Sequence, residues 1–389
     1  MSVDDLRKAD WLNHPETQAI FAALDGARRR TRAVGGVVRD TILQRPRTAP
    51  DIDLATELVP DEVIARAEAA AIAWYPTGID HGTITLRLGE ILAEVTTLRR
   101  DTETDGRHAK VVFGTDWVED ARRRDFTLNA LYCAADGTLY DPLGGVEDAM
   151  ARRIRFIGNA DQRIAEDGLR VYRFFRFVTS HGDGVLDRDG FEACARAAGK
   201  LGHLSAERVG AEMLRILALP KVATTLRQMA AIDLLPLAAD KLDAIEGYEQ
   251  TGGQSVVARL ALLGDAKQLR ALWRLSNDML TAINEVERAC ALAEGGRLGE
   301  AAYRHGELAV EGLAVAAARG QWPREQLAEA ARELGRTVVE PFPISGHDLA
   351  GLGIAPGPAL GAELKRLERL WIDSGFTLAK SELLASARP

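Results

Sequence analysis

The spacing of hydrophobic positions divides the chain into a mixed α/β region of about 150 residues and a longer helical remainder. Apolar and polar residues alternate through GTITLRLGEILAEVTTL (82–98), which predicts two strands joined as a hairpin. LYCAADGTLYDP (131–142) predicts a second hairpin that turns at an Asp-Gly pair. RAVGG (32–36) and DIDLAT (51–56) predict short strands, and PDEVIARAEAAAIA (60–73) predicts an amphipathic helix.

Strand patterns stop near Ala160, and helical spacing takes over. Long examples are DQRIAEDGLRVYRFFRFV (161–178) and QLRALWRLSNDMLTAINEVERACALAE (268–294). Polar, glycine-containing stretches at 251–255 and 294–300 predict breaks between helices. Residues 341–358 are rich in Gly and Pro and predict a hinge or an ordered loop before a last helix.

Composition places the chain among ordinary globular proteins, with 389 residues, 47% hydrophobic and 27% charged. The first residues do not resemble a signal peptide, and no apolar run is long enough to span a bilayer. Three scattered cysteines, Cys133, Cys194 and Cys290, are interpreted as reduced thiols, which predicts a cytoplasmic protein.

The net charge of −8 argues by itself against binding to nucleic acid. However, net charge averages over the whole surface, and a local basic face still holds phosphates. The arginines cluster, mostly in the first half of the chain, at 28–32, 122–124, 152–155 and 163–176. The first half is therefore where a site for phosphates is expected.

Two short motifs in the α/β region carry candidate chemistry. Gly35 and Gly36 separate a strand from a helix, a turn that lets backbone amides approach a phosphate, with Arg39 one helical turn further on. Asp51 and Asp53 are two positions apart in a strand and therefore share a face. Neighbouring carboxylates repel each other unless a cation lies between them, and Mg²⁺ prefers a few carboxylates together with substrate phosphates.

Glu94 is a third acid, within the otherwise apolar strand ILAEVTTL (91–98). Burying an acid is costly unless it is paired, or near solvent or a metal ion. Two interpretations stay open: Glu94 completes the metal site, or it forms a salt bridge with a neighbouring arginine.

Five motifs in a fixed order resemble those of one enzyme family. They are GGVVRD (35–40), DIDLAT (51–56), RRDFTLNALY (123–132), DPLGGVEDA (141–149) and EDGLRVYRFFRF (166–177). The first two are similar to the signature of DNA polymerase β-like nucleotidyltransferases. Together the five resemble the bacterial-type, class II tRNA nucleotidyltransferases, a family of CCA-adding enzymes and poly(A) polymerases.

The resemblance covers at least residues 33–217 and implies an architecture. We expect an α/β head with the DNA polymerase β-like nucleotidyltransferase fold, followed by an all-α neck, body and tail. The expected domains are the catalytic head, the neck for base recognition, the helical body and the tRNA-contacting tail, at 1–150, 151–217, 218–335 and 336–389.

The resemblance also implies roles for the head residues. Asp51 and Asp53 would hold two Mg²⁺ ions, and Gly35, Gly36 and Arg39 would bind the triphosphate. In RRDFTLN (123–129), Asp125 would orient its neighbours, while Arg124 and Asn129 would contact the sugar and phosphates of the incoming nucleotide. Without the family, this segment would be interpreted as a helix N-terminus with a surface salt bridge.

Base recognition is expected on a helix that begins at Glu166. Asp167 and Arg170, three positions apart, would share a face of that helix. A carboxylate accepts from the exocyclic amine of cytosine or adenine and a guanidinium donates beside it, so the pair would mimic a complementary base. Arg173 and Arg176 continue the spacing toward phosphates. The structural alternative is an intrahelical ion pair.

The polar segment 98–120 resembles the family's flexible loop, in which Asp105 and Arg107 are candidates for a moving element; a charged surface loop is the alternative. The expected activity is addition of CCA to the 3′ end of tRNA from CTP and ATP. Addition of CC only, of A only or of poly(A), and a catalytically dead tRNA-binding protein, are the alternatives. The expected partners are tRNA, CTP and ATP, with no membrane and no protein partner evident.

Overall fold

The computed structural model describes residues 3–46, 51–105, 108–337 and 340–388. Its contacts divide it into two compact units. The first runs to Glu212 and includes Gln228–Leu235; the second comprises Met213–Arg227 and the residues from Pro236 onward. The four domain ranges expected from the sequence therefore stay a prediction. The expected head and the expected neck as far as Glu212 belong to the first unit.

A seven-stranded mixed sheet forms the framework of the first unit. Its strand order is β3-β4-β5-β2-β1-β8-β9, and β6 and β7 form a separate two-stranded sheet. The described strands are β1 Thr31–Val34, β2 Ile52–Thr56, β3 Ala73–Gly78, β4 Thr83–Leu88, β5 Ile91–Thr97, β6 Arg99–Asp105, β7 His108–Phe113, β8 Tyr132–Cys133 and β9 Leu139–Tyr140. β2 pairs with β5 in parallel and with β1 antiparallel, so it lies in the interior of the sheet.

Helices cover the sheet and continue beyond it. Those up to residue 217 are α1 Asp10–Asn13, α2 Pro15–Ala23, α3 Gly36–Ile42, α4 Pro60–Ala69, α5 Trp117–Arg122, α6 Gly145–Met150, α7 Ala160–Glu166, α8 Leu169–His181, α9 Arg188–Ala198 and α10 Ala206–Leu217. Short 3₁₀ turns lie at Val3–Lys8, Gly26–Arg28, Ile79–His81 and Thr127–Asn129. Both predicted hairpins, the predicted strands around 31–36 and 51–56, and the helix from Pro60 are confirmed.

Only helices occur among the described residues after position 160, as the spacing predicted. The remaining helices are α11 Ala223–Ala230, α12 Ala239–Gln250, α13 Val256–Leu263, α14 Ala266–Trp273, α15 Asn277–Glu294, α16 Leu298–His305, α17 Leu308–Arg319, α18 Arg324–Arg336, α19 Gly346–Gly351, α20 Pro358–Asp373 and α21 Lys380–Ala385. The break at 251–255 is confirmed. The segment 341–358 contains the short α19. The helix predicted to be the last one is α20, and α21 follows it.

Alternation along the strands places the head core on one face of the sheet. Ile52 and Leu54 of β2 and Ala93 and Val95 of β5 are buried in that core, together with residues of α3 and α4. Residues between them in sequence therefore point to the opposite face, because successive side chains of a strand alternate. This alternation determines where the acids of β2 and β5 lie.

Two expectations about local structure were wrong. The segment predicted as a loop at 98–120 contains the β6–β7 hairpin and α5, and its β-branched residues Thr102, Thr104 and Val112 suit strands. The helix expected to begin at Glu166 is interrupted instead, since α7 ends there and α8 begins at Leu169.

The interruption between α7 and α8 has a local cause. Asp167 has extended backbone angles, φ −149° and ψ 104°, and its carboxylate accepts a hydrogen bond from the Leu169 amide at 3.1 Å. An aspartate in this position satisfies an amide at the start of the next helix. Gly168 packs so closely on Leu201 that an added Cβ would lie 2.7 Å from a methyl carbon.

The three cysteines are buried and free of disulfides, as expected. Among the helices of the described residues, none combines the length and the apolar character that crossing a membrane requires.

Candidate active site

The glycine turn has the predicted position between β1 and α3. Gly35 has φ +72°, a conformation that side chains with a Cβ rarely adopt, and its amide donates to the Leu131 carbonyl at 3.0 Å. Gly36 is the first residue of α3. The turn therefore needs glycine at its first position and leads directly into the helix that carries Arg39.

The acids of β2 and β5 lie next to each other. Asp51 precedes β2, Asp53 lies within it, and both are exposed. In the parallel β2–β5 register, Asp53 is the direct partner of Glu94, which is also exposed. The Glu94 carboxyl is nevertheless partly shielded from water, and this partial burial together with the negative charge of Asp53 raises the pKa of Glu94. A neighbouring arginine would lower that pKa, so the structure favours a shared acidic site over the alternative of an arginine salt bridge.

These acids suit a hard divalent cation. Carboxylates that raise one another's pKa values lose that repulsion when a cation lies between them. Within the described part of the chain, no three His, Cys, Asp or Glu side chains converge tightly enough to hold a metal ion by themselves. Mg²⁺ at nucleotide sites takes one or two carboxylates and completes its coordination with phosphates and water, and Asp51 and Asp53 fit that pattern.

Arg39 is held in place by three neighbours. It is 7% exposed, although it is an arginine. Its Nη1 donates to Asn129 Oδ1 at 2.6 Å, and its Nε donates to Asp40 Oδ1 at 2.8 Å. Its guanidinium also lies 5.1 Å from the centre of the Phe177 ring. Arg39 and Asn129, predicted from separate motifs, are therefore in direct contact.

Asp125 extends this contact to α8. Asn129 Nδ2 donates to Asp125 Oδ1 at 3.0 Å, and Arg173 Nε donates to Asp125 Oδ2 at 2.7 Å. Burial alone would raise the pKa of Asp125, but the charge of Arg173 and the hydrogen bond from Asn129 outweigh it and lower the pKa below its usual value. Asp125 thus orients its neighbours, in keeping with its expected role.

Arg124 and Arg176 are bound to buried acids of the protein. Arg124 Nη2 donates to Asp120 at 3.1 Å, and its Nε donates to the Tyr132 hydroxyl at 3.2 Å. Arg176 Nε donates to Glu212 at 2.7 Å, and Glu212 is only 2% exposed. Their expected contacts with the nucleotide stay predictions, and each must be made by a side chain that is already anchored.

Asp167 and Arg170 have different partners. Asp167 Oδ2 accepts from Arg208 at 2.9 Å, an exposed pair. Arg170 Nη1 donates to Glu166 Oε2 at 2.8 Å, and its Nη2 donates to the Arg123 carbonyl at 3.0 Å. The Arg170 amide still donates to the Asp167 carbonyl at 3.0 Å, so the two residues lie one turn apart at the start of α8. Their side chains bind different partners, however, and the alternative of an intrahelical ion pair between them is not formed. Glu166 was given no role from the sequence.

One of the two residues proposed for the flexible loop, Asp105, lies at the end of the β6–β7 hairpin. Asp105 is the last residue of β6 and pairs in register with His108. Arg107 lies outside the described residues. Their proposed mobility stays a prediction.

Sequence reasoning missed two residues that contact the site. Asp40 was seen only as part of GGVVRD, and His181 was not considered. His181 Nε2 lies 3.1 Å from Asp40 Oδ1 across 141 positions of sequence. A single histidine at the end of a helix carries no local signal for such a contact.

Comparison with known proteins agrees with this geometry. The family described as "Poly A polymerase head domain" matches residues 31–155, and "Probable RNA and SrmB- binding site of polymerase A" matches residues 186–240. The human protein named CCA tRNA nucleotidyltransferase 1, mitochondrial, is 32% identical, over 96% of this chain and 92% of its own. The CCA-adding enzyme of Lacticaseibacillus paracasei is 31% identical, over 92% of each chain.

Solved structures show the same fold. The Bacillus stearothermophilus CCA-adding enzyme in complex with CTP superposes with a TM-score of 0.76 at 27% identity, covering 96% of both chains. The Thermotoga maritima CCA-adding enzyme complexed with tRNA shares the fold at a TM-score of 0.69 and 21% identity, over 97% of both chains. With these relatives matched along nearly its whole length, the chain belongs to the class II CCA-adding tRNA nucleotidyltransferase family.

Proposed function

We propose that this protein adds CCA to the 3′ end of tRNA, using CTP and ATP as substrates and two Mg²⁺ ions bound at Asp51 and Asp53. The observation that carries the proposal is the adjacency of Asp53 and Glu94 on β2 and β5, beside the glycine turn that leads to Arg39. Relatives matched over nearly the whole chain are named for CCA addition, and solved neighbours contain CTP or tRNA.

The reaction needs charge compensation more than covalent chemistry. The 3′-hydroxyl of the RNA attacks the α-phosphorus of the nucleotide, a new phosphodiester bond forms, and pyrophosphate leaves with the electrons of the broken P–O bond. Bound Mg²⁺ would supply a lowered pKa for the attacking hydroxyl and neutralise charge on the leaving pyrophosphate. Asp51 and Asp53 hold the ions, with Glu94 as the adjacent third carboxylate.

Arg39 is the residue we assign to the triphosphate. Its Nε and Nη1 contacts with Asp40 and Asn129 fix the guanidinium plane before a substrate arrives. A guanidinium already held in one orientation loses less conformational entropy when it binds a phosphate. Gly35 and Gly36 bring the backbone at the start of α3 near the same group. Asn129 and the anchored Arg124 are assigned to the sugar side.

Base choice is assigned to Asp167 and Arg170. The Asp167–Arg208 pair is solvent-exposed, and such pairs contribute little stability, so Asp167 can exchange Arg208 for the amine of a base. Arg170 is fixed by Glu166 and by the Arg123 carbonyl, which suits a donor that must keep its position. Arg173 and Arg176 belong to the same helix and complete the nucleotide-binding set.

The compartment is also a proposal. The three cysteines are buried and free, which agrees with a reducing compartment such as the cytoplasm. The human relative is named as mitochondrial. We propose a cytoplasmic location, and the candidate partners remain tRNA, CTP and ATP.

The decisive experiment supplies tRNA that lacks CCA together with labelled CTP, labelled ATP, or both, and reads product length on a sequencing gel. Full CCA addition gives two cytidines with CTP alone and three added residues with both nucleotides. Arrest after two added residues in the presence of both nucleotides indicates a CC-adding enzyme. An A-adding enzyme extends only a second substrate, tRNA that already ends in CC. A long ladder of products with ATP indicates poly(A) synthesis. Binding of tRNA without any incorporation would identify the catalytically dead alternative.

A further inference from the structure

His181 is the last residue of α8 and is almost buried, with a side chain 9% exposed. Its Nδ1 lies 2.7 Å from the Ser180 hydroxyl, and its Nε2 lies 3.1 Å from Asp40 Oδ1. Its ring also packs on Phe177, at 5.5 Å between ring centres. Ring packing and two polar contacts together fix the imidazole.

The protonation of this group follows from its surroundings. Burial lowers the pKa of His181 to about 4, with the charge of Arg39 acting in the same direction, so the ring is neutral at neutral pH. Hydrogen bonds from His181 and Arg39 hold the pKa of Asp40 well below its usual range, although burial opposes them, so this carboxylate only accepts. Nε2 therefore carries the ring proton and donates to Asp40, while Nδ1 accepts from Ser180.

The same oxygen of Asp40 also accepts from Arg39. Arg39 Nε donates to Oδ1 at 2.8 Å, so His181 and Arg39 share one carboxylate oxygen. Adjacent residues of a helix point in different directions and do not normally face each other. The α3 helix by itself therefore does not hold Asp40 against Arg39, and His181, at the end of α8, donates to the carboxylate oxygen that Arg39 binds.

We propose that His181 is a positioning residue that, through Asp40, fixes Arg39 in the orientation that binds the nucleotide triphosphate. The inference rests on the proposed function, in which Arg39 contacts that triphosphate. Because every nucleotide carries the same triphosphate, the contact sets the affinity for CTP and ATP alike and does not choose between their bases.

Two substitutions separate this role from simple packing. His181→Phe keeps a ring against Phe177 but removes the donor, whereas His181→Gln keeps a donor close to the position of Nε2. We expect His181→Phe to raise KM for CTP and for ATP by about tenfold, the change that corresponds to one hydrogen bond to a charged group. We expect kcat to change by less than about twofold, with KM largely restored in His181→Gln.

The chain offers a matched control in its second unit. His305 is also buried, with a side chain 5% exposed, and its Nδ1 lies 2.8 Å from Glu285 Oε2. His305→Phe and His305→Gln should leave KM for both nucleotides unchanged. If His181→Phe does not fold, Ser180→Ala replaces it, because loss of the hydroxyl frees the ring and should raise both KM values by about twofold to threefold.

The outcomes are distinct. The inference is overturned if KM is unchanged in folded His181→Phe, or if KM rises equally in the Phe and Gln variants. Incorporation of CTP and ATP by the wild type upholds the proposed function in either case. If the wild type incorporates neither nucleotide, the proposed function fails, and binding of inorganic tripolyphosphate by calorimetry decides the inference alone. Tripolyphosphate affinity about tenfold weaker in His181→Phe supports the inference, and equal affinity refutes it.

Discussion

Asp53 and Glu94 are direct partners in the parallel register of β2 and β5, and both side chains are exposed. Partial burial and the negative charge of Asp53 raise the pKa of Glu94, because neighbouring carboxylates repel each other. Substituting Asp53 and Glu94 one at a time therefore measures what each carboxylate contributes to nucleotide incorporation.

Removing the carboxylate of Asp53 should abolish nucleotide incorporation. Asp53→Asn keeps the size of the side chain but removes a charged ligand from the site. We expect a loss of at least about 10³-fold in kcat, the scale seen when a main electrostatic group of an active site is deleted. Single-turnover incorporation of labelled CTP measures it, and Asp51→Asn should behave alike. Glu90→Gln, an exposed acid between β4 and β5, is the matched control, and near-normal rates in Asp53→Asn would reject the assignment.

Glu94 should affect the Mg²⁺ concentration that nucleotide incorporation requires. Glu94→Gln removes the third carboxylate while leaving Asp51 and Asp53. We expect the Mg²⁺ concentration for half-maximal incorporation to rise by about tenfold or more, in the range reported for groups that support a metal ligand. A titration of activity against Mg²⁺ measures this. An unchanged midpoint would show that Glu94 takes no part in holding the ion.

Base choice should change before catalysis does when the recognition pair is altered. Arg170→Ala removes donors to the base edge but leaves the residues assigned to the triphosphate. One bidentate contact with a base discriminates by roughly 1–3 kcal/mol, so incorporation of UTP relative to CTP should rise about tenfold or more. Asp167→Ala should lose the preference for CTP and ATP together.

The control for this pair is Arg208→Ala, which removes the exposed partner of Asp167. If Asp167 exchanges Arg208 for a base, this variant keeps its selectivity. Nucleotide ratios that stay unchanged in folded Arg170→Ala and Asp167→Ala would mean that these residues only brace the start of α8.

Binding to tRNA should weaken as salt increases, despite the net charge of −8. Each phosphate contact releases condensed counterions, so log affinity falls with log salt by about 0.7–0.9 per contact. Fluorescence anisotropy of labelled tRNA over a range of KCl concentrations gives the slope, and we expect a slope that corresponds to several contacts. An affinity independent of salt would exclude the arginine clusters as the binding surface.

Acid should remove a stabilising contact of the C-terminal helices. Hydrogen bonds from Arg366 lower the pKa of Glu363 to about 2, and the Arg388 amide adds to the effect against the opposing influence of burial. An acid whose pKa is lowered by folding stabilises the fold above its unfolded pKa and loses that effect as pH falls toward its folded pKa. Glu363→Gln should lower the melting temperature by about 2–4 °C at pH 7.

The difference between Glu363→Gln and the wild type should narrow steadily below about pH 4.5, the ordinary glutamate range. Calorimetric scans from pH 7 to pH 3 measure it. Glu329→Gln, on the exposed side of α18, should follow the wild type at every pH. A difference that is constant with pH would assign the loss to packing and not to charge.

Sequence patterns predicted the parts of this molecule that depend on neighbours along the chain. Alternation through 82–98 predicted β4 and β5, the second of which carries Glu94. Family motifs led to Asp51, Asp53 and Arg39 because each motif occupies a short stretch. Asp125 was expected to orient its neighbours, and it contacts both Asn129 and Arg173.

The remaining features depend on tertiary contacts that no local pattern encodes. The break between α7 and α8 was missed because the helical spacing of apolar residues runs through it, while the packing of Gly168 on Leu201 is a contact between residues remote in sequence. The partner of Arg39 across the fold is Asn129, 90 positions away, and that of Asp40 is His181. Such pairs become visible only when the backbone has brought them together.

The interior position of β2 has a consequence for how the head opens. Amides of β2 are bonded on both sides, to β1 and to β5, whereas β9 is a two-residue strand at one edge of the sheet. Edge strands and termini open in local fluctuations, while central strands exchange their amide hydrogens only through global unfolding. The backbone amides around Asp53 should therefore be among the slowest in the head to exchange with deuterium. The distance between Asp53 and Glu94 should stay the same when the edge strands of the sheet open locally.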